Sequence, residues 1–155
     1  MSLTKFATLF AAGAMALGLA ATVTAQDAAV DPAIAAMTPE QLVEARQAAM
    51  KEDGGILRGA GALTGAEATA AADVLIKNFT NLPAMFPEGS IVGGSKALPA
   101  IWENFDHFTG IFGKALQGAK DMKTAAAAGD ATAYGAALEV IGGTCGECHQ
   151  DYRGR

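Results

Sequence analysis

Two cysteines and a histidine near the end of the sequence form the pattern with the clearest chemistry. Cys145, Cys148 and His149 follow the spacing C-x-x-C-H, the attachment pattern of a c-type haem. On a helix, residues at i, i+3 and i+4 share one face, so two thioether bonds and an imidazole can meet one macrocycle from the same side. We therefore predict one covalently bound haem c, attached through Cys145 and Cys148, with His149 as an axial ligand of its iron.

Other uses of these cysteines explain less of the pattern. A disulfide-exchange C-x-x-C usually belongs to a βαβ unit, and no such alternation is present. A zinc site needs four ligands, which Cys145, Cys148, His149 and the distant His107 would supply only by coincidence. A structural disulfide between positions i and i+3 of a helix has poor geometry and leaves His149 without a role. The sequence contains two cysteines in all.

The first 25 residues are typical of a secretory signal peptide. Lys5 supplies a positive start, residues 6–21 form an apolar run, and residues 23–25 provide a small-residue cleavage site. The mature domain would then be residues 26–155. An uncleaved membrane anchor is the alternative, which the short, glycine-interrupted run disfavours.

Export and haem attachment agree with each other, because bacteria attach haem c outside the cytoplasmic membrane. They predict a periplasmic protein without stable membrane insertion. Loss of Lys5 lowers the formal charge from −5 to −6. An acidic chain disfavours nucleic acid and anionic membranes, and it favours a basic or neutral protein as redox partner.

Helix signals begin after residues 26–37, which we interpret as a loose N-terminal arm. Thr38, Pro39 and Gln41 form a capping box with proline at the first helical position, so a first helix starts there. Glycines at positions 54, 55, 59 and 61 weaken its second half, where we expect a bend, a break, or a close approach of the backbone to something flat.

Three further helices follow. A second capping box at Thr64 starts a helix that runs to about Thr80, and the Pro- and Gly-rich residues 81–95 form a long connection. A third helix begins near Pro99 and ends at Gly129, and Asp130 caps the fourth. The third helix has an apolar stripe made of Ile101, Phe105, Phe108, Phe112 and Ala115. The fourth has a stripe that includes the haem cysteines, made of Tyr134, Leu138, Ile141, Cys145, Cys148 and Tyr152.

Four helices without strand-like alternation predict an all-α, antiparallel four-helix bundle in which the last helix holds the haem. Abundant alanine and glycine allow close helix packing. Because large side chains are few, the haem should supply much of the core, and we expect the haem-free protein to be poorly folded.

A second axial ligand must come from earlier in the chain, since no methionine or histidine follows His149. The candidates in the mature chain are Met37, Met50, Met85, Met122 and His107. His107 lies on the polar face of its helix and is expected to be solvated. Met50 lies inside a helix, on the face shared with Arg46, where it either binds iron or fills the core.

Several short segments, in order, resemble the class II c-type cytochromes, which comprise cytochrome c prime and its low-spin relatives. They are Arg46-Gln47-Ala48-Ala49-Met50-Lys51, Phe86-Pro87-Glu88-Gly89-Ser90, Ile101-Trp102, Gly142-Gly143-Thr144-Cys145-Gly146-Glu147-Cys148-His149 and Tyr152-Arg153. The resemblance covers essentially the whole mature sequence. Only the haem motif is specific by itself.

The resemblance implies a four-helix bundle that often forms homodimers, with Cys145 and Cys148 bonded to haem and His149 as proximal ligand. Arg46 matches a position close to a haem propionate. Arg153 matches a basic residue beside the proximal histidine.

Met50 matches the distal position, where the family divides. Low-spin relatives place a methionine there as sixth ligand, whereas cytochrome c prime leaves the iron open to nitric oxide or carbon monoxide. We predict an electron carrier with iron between His149 and Met50, and the five-coordinate gas-binding protein is the alternative. We expect no enzyme activity, because no distal acid–base pair suited to peroxide chemistry can be placed near the iron.

Overall fold

The computed structural model describes residues 29–155, and the expected signal peptide, residues 1–25, lies outside the described residues. Between residues 29 and 155 the chain forms helices and turns but no strand. The helices are α1 (Pro39–Ala60), α2 (Gly65–Asn81), α3 (Ala100–Glu103), α4 (Phe105–Ala128) and α5 (Ala131–Tyr152). The four long ones confirm the predicted all-α four-helix bundle.

The start of α1 follows the predicted capping box. The Thr38 hydroxyl accepts from the Gln41 amide at 3.3 Å, and the Gln41 side-chain oxygen accepts from the Thr38 amide at 2.8 Å. The segment before it is not loose from Asp31 onward. Residues Pro32–Ala36 form a 3₁₀ turn that buries Ile34, and the Asp31 amide donates to the Asn81 side chain at 2.9 Å. An apolar side chain with a core site therefore orders this segment.

The glycines of α1 do not break it, so the predicted break is wrong. The helix runs without interruption from Pro39 to Ala60. An interior glycine costs only about 1 kcal/mol relative to alanine, and tertiary contacts can offset that. Ala60 is fully buried, and its carbonyl accepts from the Tyr134 hydroxyl at 3.0 Å, which fixes the end of α1 to α5.

The second helix begins after Thr64 as predicted, but two other details of the predicted helices are wrong. Thr64 precedes α2 but makes no side-chain capping bond. The single third helix is two helices, because Asn104 has φ −141° and ψ 53° and separates α3 from α4. The predicted stripe of the third helix is otherwise buried, except that Phe105 is 42% exposed.

The turn between α4 and α5 agrees with the sequence. Gly129 ends α4 with φ +68°, a left-handed conformation that favours glycine. The Asp130 carboxylate accepts from the amides of Thr132 and Ala133 and caps α5. The predicted stripe of α5 faces inward, with Tyr134, Ile141 and Tyr152 buried and the rest half-buried.

The helices pack unequally around this core. α4 packs closely against α5 and α2, whereas α1 packs against α2 and the 3₁₀ turn Leu82–Met85 and approaches α5 at few positions. The space left between α1 and α5 holds the candidate site. No helix in residues 29–155 is both long enough and apolar enough to cross a membrane.

Candidate haem site

A cavity of about 640 Å³ lies between α1 and α5. It brings together five of the residues selected from the sequence: Arg46, Met50, Cys148, His149 and Arg153. Its apolar lining includes Phe86, Ile101, Phe108 and Tyr152. Cys145 is not among the lining residues; it lies one turn before Cys148 on α5 and is half-buried.

Arg46 is a buried cation without a carboxylate partner among the described residues. It is 4% exposed. Its terminal nitrogens donate to the Met85 carbonyl, to the Ser90 hydroxyl and carbonyl, and to the Ser95 hydroxyl, at 2.7–3.0 Å. The guanidinium also lies 4.4 Å from the centre of the Phe86 ring. Burial lowers the pKa of Arg46, and an acidic group entering the cavity would compensate its charge.

The connection after α2 forms one wall of the cavity and is tied to the end of α5. The Leu98 amide donates to the Tyr152 carbonyl at 3.0 Å, and the Gly154 amide donates to the Lys96 carbonyl at 2.7 Å. An isolated antiparallel bridge joins Ala97 and Arg153. Sequence reasoning treated residues 81–95 as a connection and missed that residues 94–97 line the site, because no local pattern indicates a bridge to a distant segment.

The thiols are poorly suited to disulfide exchange. Burial, followed by the charge of Asp53, raises the pKa of the Cys145 thiol. Burial also raises the pKa of Cys148 to about 11, with smaller effects from Cys145, Asp151 and Glu147. Cysteines that exchange disulfides have lowered pKa values. This is the opposite case, and it removes support from the redox-dithiol alternative.

The surroundings of His149 favour the neutral form of its imidazole. Burial, and then the positive charge of Arg153, lowers its pKa below the ordinary value. A neutral ring keeps a lone pair for a metal. Arg153 therefore has an electrostatic effect on His149, in the place where the resemblance put a basic residue.

Among the other candidates for a second ligand, none lines the cavity. Met122 is fully buried in the core, and Met85 is 8% exposed beside α1. The His107 Nδ1 is 2.7 Å from the Tyr152 hydroxyl, and its Nε2 is 3.4 Å from Glu147. Met37 is half-buried near the start of α1. Of the candidate ligands in residues 29–155, Met50 is the one that lines the cavity.

The zinc alternative finds no support in this geometry. Within residues 29–155, no group of three or more His, Cys, Asp or Glu side chains is close enough to hold a metal ion. His107 instead links α4 to α5 through Tyr152 and Glu147.

Besides residues 94–97, the sequence-based reasoning also missed Asp53. Its side chain is 4% exposed; Oδ1 accepts from the Asn78 amide at 2.7 Å, and Oδ2 has no hydrogen-bond partner. Burial raises its pKa to about 6, although the Asn78 hydrogen bond opposes the shift. The available signal was its spacing, since it lies three residues after Met50 and seven after Arg46, on the same helix face.

Comparison with known families decides the identity of the chain. A sequence model described as Cytochrome C' matches residues 40–153, which include both cavity helices. The chain belongs to the cytochrome c' family. As a member of it, the chain binds one covalently attached haem c.

The relatives include proteins named cytochrome c' and proteins named cytochrome c-556. A cytochrome c' of Pararhodospirillum photometricum is 34% identical over 75% of this chain and 98% of its own length. A cytochrome c-556 of Agrobacterium tumefaciens (strain II Chrys) is 40% identical over 72% of this chain and 95% of its own length. Among solved structures, a nitric oxide complex of a mutant cytochrome c prime from Alcaligenes xylosoxidans is similar at 26% identity, covering 76% of this chain and 98% of that one, with a TM-score of 0.68.

The cavity residues fit the haem of a cytochrome c' family protein. The volume is in the range of a cofactor pocket, and its lining is largely apolar with a few polar groups. His149 and Cys148 lie on one wall, and the buried guanidinium of Arg46, which has no carboxylate partner in residues 29–155, lies on another. The last feature suits a haem propionate, because the pocket otherwise leaves that charge uncompensated.

Proposed function

We propose that the protein is an electron carrier in which His149 and Met50 are the two axial ligands of the haem iron. The observation that carries this proposal is that His149 of α5 and Met50 of α1 line one cavity. The haem, when bound, supplies an iron that alternates between ferric and ferrous states. Thioether ligation favours the ferrous state and raises the reduction potential.

The other residues hold and orient this site. Cys145 and Cys148 anchor the macrocycle by thioether bonds, and Arg46 places a positive charge where a propionate would lie. Burial and then the charge of Arg153 lower the pKa of His149, which favours the neutral imidazole that can bind iron. The apolar side chains of the cavity exclude water, which limits solvent reorganisation during electron transfer.

The charge around the cavity favours an acidic face on the redox partner. Of the 15 acidic residues at positions 29–155, none lines the cavity, whereas Arg46, Lys51, Lys96 and Arg153 do. Lys51, Lys96 and Arg153 are exposed and form no ion pair with a described residue. The chain is acidic as a whole, so net charge alone predicted a basic or neutral partner. The local distribution has the opposite sign, and docking near the haem should follow it.

The second candidate is a five-coordinate protein that binds nitric oxide or carbon monoxide. The observation that favours it is the structural similarity to a cytochrome c prime solved with nitric oxide, and the comparisons lean toward this form. Met50 is half-buried and would then pack beside the distal site without binding iron.

Three further expectations belong to this proposal. The protein works in the periplasm after loss of residues 1–25, without stable membrane insertion. It can form homodimers, as the family resemblance implies. It carries electrons or binds a small gas rather than catalysing turnover of a substrate.

Absorption spectra of the ferric and ferrous holoprotein at neutral pH test the ligation. We expect narrow, split low-spin bands in the native protein, and we expect Met50→Ala to convert them to high-spin bands. Met122→Ala is the matched control, because that methionine lies in the core and not on the cavity wall.

The opposite result would select the second candidate. High-spin bands that Met50→Ala leaves unchanged, with rapid carbon monoxide binding by the ferrous protein, would mean that Met50 only packs. Low-spin bands that persist in Met50→Ala would point to a ligand other than Met50.

A further inference from the structure

The face of α1 that includes Met50 also carries a buried carboxyl group, that of Asp53, which the proposed function does not use. Arg46, Met50 and Asp53 lie at i, i+4 and i+7, so one face of α1 presents them in succession. Asp53 is 4% exposed, and its Oδ2 is buried without a hydrogen-bond partner. Buried carboxylates without a cationic partner are unusual, because desolvation of the charge is costly. None of the ion pairs in the described part of the chain includes Asp53.

Asp53 lies between the haem attachment site and a second cavity. On one side its charge acts on the thiol of Cys145. On the other side, the Asn78 side-chain amide donates both to Asp53 Oδ1 at 2.7 Å and to Glu52 Oε2 at 2.9 Å. Glu52 is exposed, and it lines with Asn78 a cavity of about 400 Å³ between α1 and α2. One amide group therefore separates the buried carboxyl from a carboxylate in contact with solvent.

The ionisable groups that face Asp53 are few. Glu52 on the same helix disfavours a negative charge on Asp53. Cys145 on α5 becomes an uncharged thioether once haem is attached. From α2, Asn78 is neutral, and Lys77 lines the second cavity with Glu52 but forms no ion pair with Asp53.

We propose that Asp53 takes up a proton when the haem iron is reduced and releases it when the iron is oxidised. An electron from the redox partner converts ferric to ferrous iron, and a proton from solvent converts the Asp53 carboxylate to the neutral acid. Oδ2 can receive the proton while Oδ1 keeps its bond to Asn78. This inference rests on the proposed function, because it requires reversible reduction of the iron.

The physical cause is that reduction lowers the charge of the iron by one, and the buried carboxylate of Asp53 is poorly screened from that change. The pKa of Asp53 is therefore expected to be higher in the reduced protein than in the oxidised protein. By linkage, protonation of Asp53 must raise the reduction potential by the corresponding amount. The reduction potential should therefore fall as the pH rises, over the range where Asp53 loses its proton in the oxidised protein but keeps it in the reduced protein.

The test is a redox titration of the holoprotein, followed by absorption, at a series of pH values between about 4.5 and 8, which brackets the range in which a buried carboxyl titrates. We expect the potential of the native protein to fall with pH, with a slope approaching one proton per electron. Asp53→Asn should abolish this slope, because its amide keeps the shape but cannot take up the proton. Glu52→Gln is the matched control, and it should retain the slope.

A second readout identifies the residue type of the group that takes up the proton, and it needs no substitution at Asp53. We expect the reduced-minus-oxidised infrared spectrum to show the carbonyl band of a protonated carboxylic acid, which shifts when aspartate is labelled with carbon-13. A band that does not shift would assign the proton to a haem propionate or a glutamate and overturn the proposal.

Other outcomes also count against it. A potential that is independent of pH in the native protein, or a slope unchanged in Asp53→Asn, would overturn the role of Asp53 while leaving electron transfer intact. An iron that cannot be cycled reversibly would overturn both.

Discussion

α5 meets α4 and α1 on two different faces, and these faces differ in how they are filled. On the α4 side, Gly118 lies so close to α5 that an added Cβ would be 2.9 Å from Ile141 Cγ1, and Ile141 is fully buried. On the α1 side, the helices leave a cavity of about 640 Å³. Side chains fill the contact between α4 and α5, whereas the space between α1 and α5 is left for the cofactor.

The difference indicates which part of the bundle depends on haem. α4 packs closely against α2 and against α5, and the contact with α5 at Gly118 leaves no room for a larger side chain. α1 packs against α2 and the turn Leu82–Met85, but it approaches α5 at few positions, such as the contact of Ala60 with Tyr134. Haem attached to α5 would contribute apolar contacts along α1, so its loss should free α1 before it affects the other three helices.

The largest effect is expected from Cys145→Ser combined with Cys148→Ser, which prevents covalent attachment. Without the cofactor the α1 face of the cavity loses its apolar cover, and we expect the cooperative thermal melt to broaden or vanish. Circular dichroism checks the melt, and hydrogen exchange should show α1 exposed while α4 and α5 keep some protection. A haem-free protein that melts cooperatively at the temperature of the holoprotein would contradict the comparison.

Arg46→Lys should weaken the attachment of α1 next. A lysine cannot satisfy acceptors on both sides of the guanidinium fork, so several buried oxygens of Met85 and Ser90 would lose a donor. At about 1–3 kcal/mol for each unsatisfied group, we expect a loss of about 4 kcal/mol in the free energy of unfolding. Urea denaturation of the holoprotein measures it. Arg58→Lys, at an exposed position on the same helix, should change the free energy of unfolding little. Equal losses in the two variants would show that the buried hydrogen bonds of Arg46 are not the cause.

Asp53→Asn should change stability in a pH-dependent way. The pKa of Asp53 in the folded protein is about 6, above its ordinary value of 3.8. The contribution of Asp53 to the free energy of unfolding is therefore most favourable below about pH 4, and this stability is lost as the pH rises through 6. Removing the charge should stabilise the protein by up to about 3 kcal/mol above pH 6 and by almost nothing at low pH.

Urea denaturation at two pH values tests this prediction. Asp73→Asn, at an exposed position that pairs with Lys123, is the control for the loss of a surface carboxylate. A gain in Asp53→Asn that is the same at both pH values would show that the charge of Asp53 is not the cause.

Gly118→Val tests the closely packed face and should have the smallest effect. Its side chain would collide with Ile141 and Val140, and overpacking of this kind costs about 2 kcal/mol. Thermal melts measure the loss, and the haem spectrum should remain native. Gly113→Val on the same helix has no atom within 4 Å of the added Cβ and should be neutral; a similar loss there would make helix propensity, and not packing, the cause.

Local signals predicted much of the fold. The caps at Thr38 and Asp130 and the stop at Gly129 are confirmed, because each depends on atoms within a few residues. The expected break at Gly54 and the unbroken third helix were wrong. In both places contacts with distant residues decide the outcome: Ala60 is held by Tyr134, and the carbonyl of Asn104 accepts a long bond, 3.4 Å, from Tyr152.

The site shows the same division. The spacing of Cys145, Cys148 and His149 placed the haem on one face of a helix, and the family resemblance singled out Arg46 and Met50. The wall formed by residues 94–97 and the buried carboxyl of Asp53 could not be predicted. The wall depends on backbone bonds to the end of α5, and the burial of Asp53 depends on how closely α1 approaches α2 and α5.

The bridge between Ala97 and Arg153 has a consequence for anyone who wishes to transplant the site. The lining of the cavity comes from α1 around Arg46, from several positions between Phe86 and Phe108, and from the end of α5. Any contiguous fragment that contains the whole cavity must therefore extend from Arg46 to Arg153, which is nearly the whole bundle. The five-residue attachment motif can be moved into another protein as a short peptide, but the environment that surrounds it cannot.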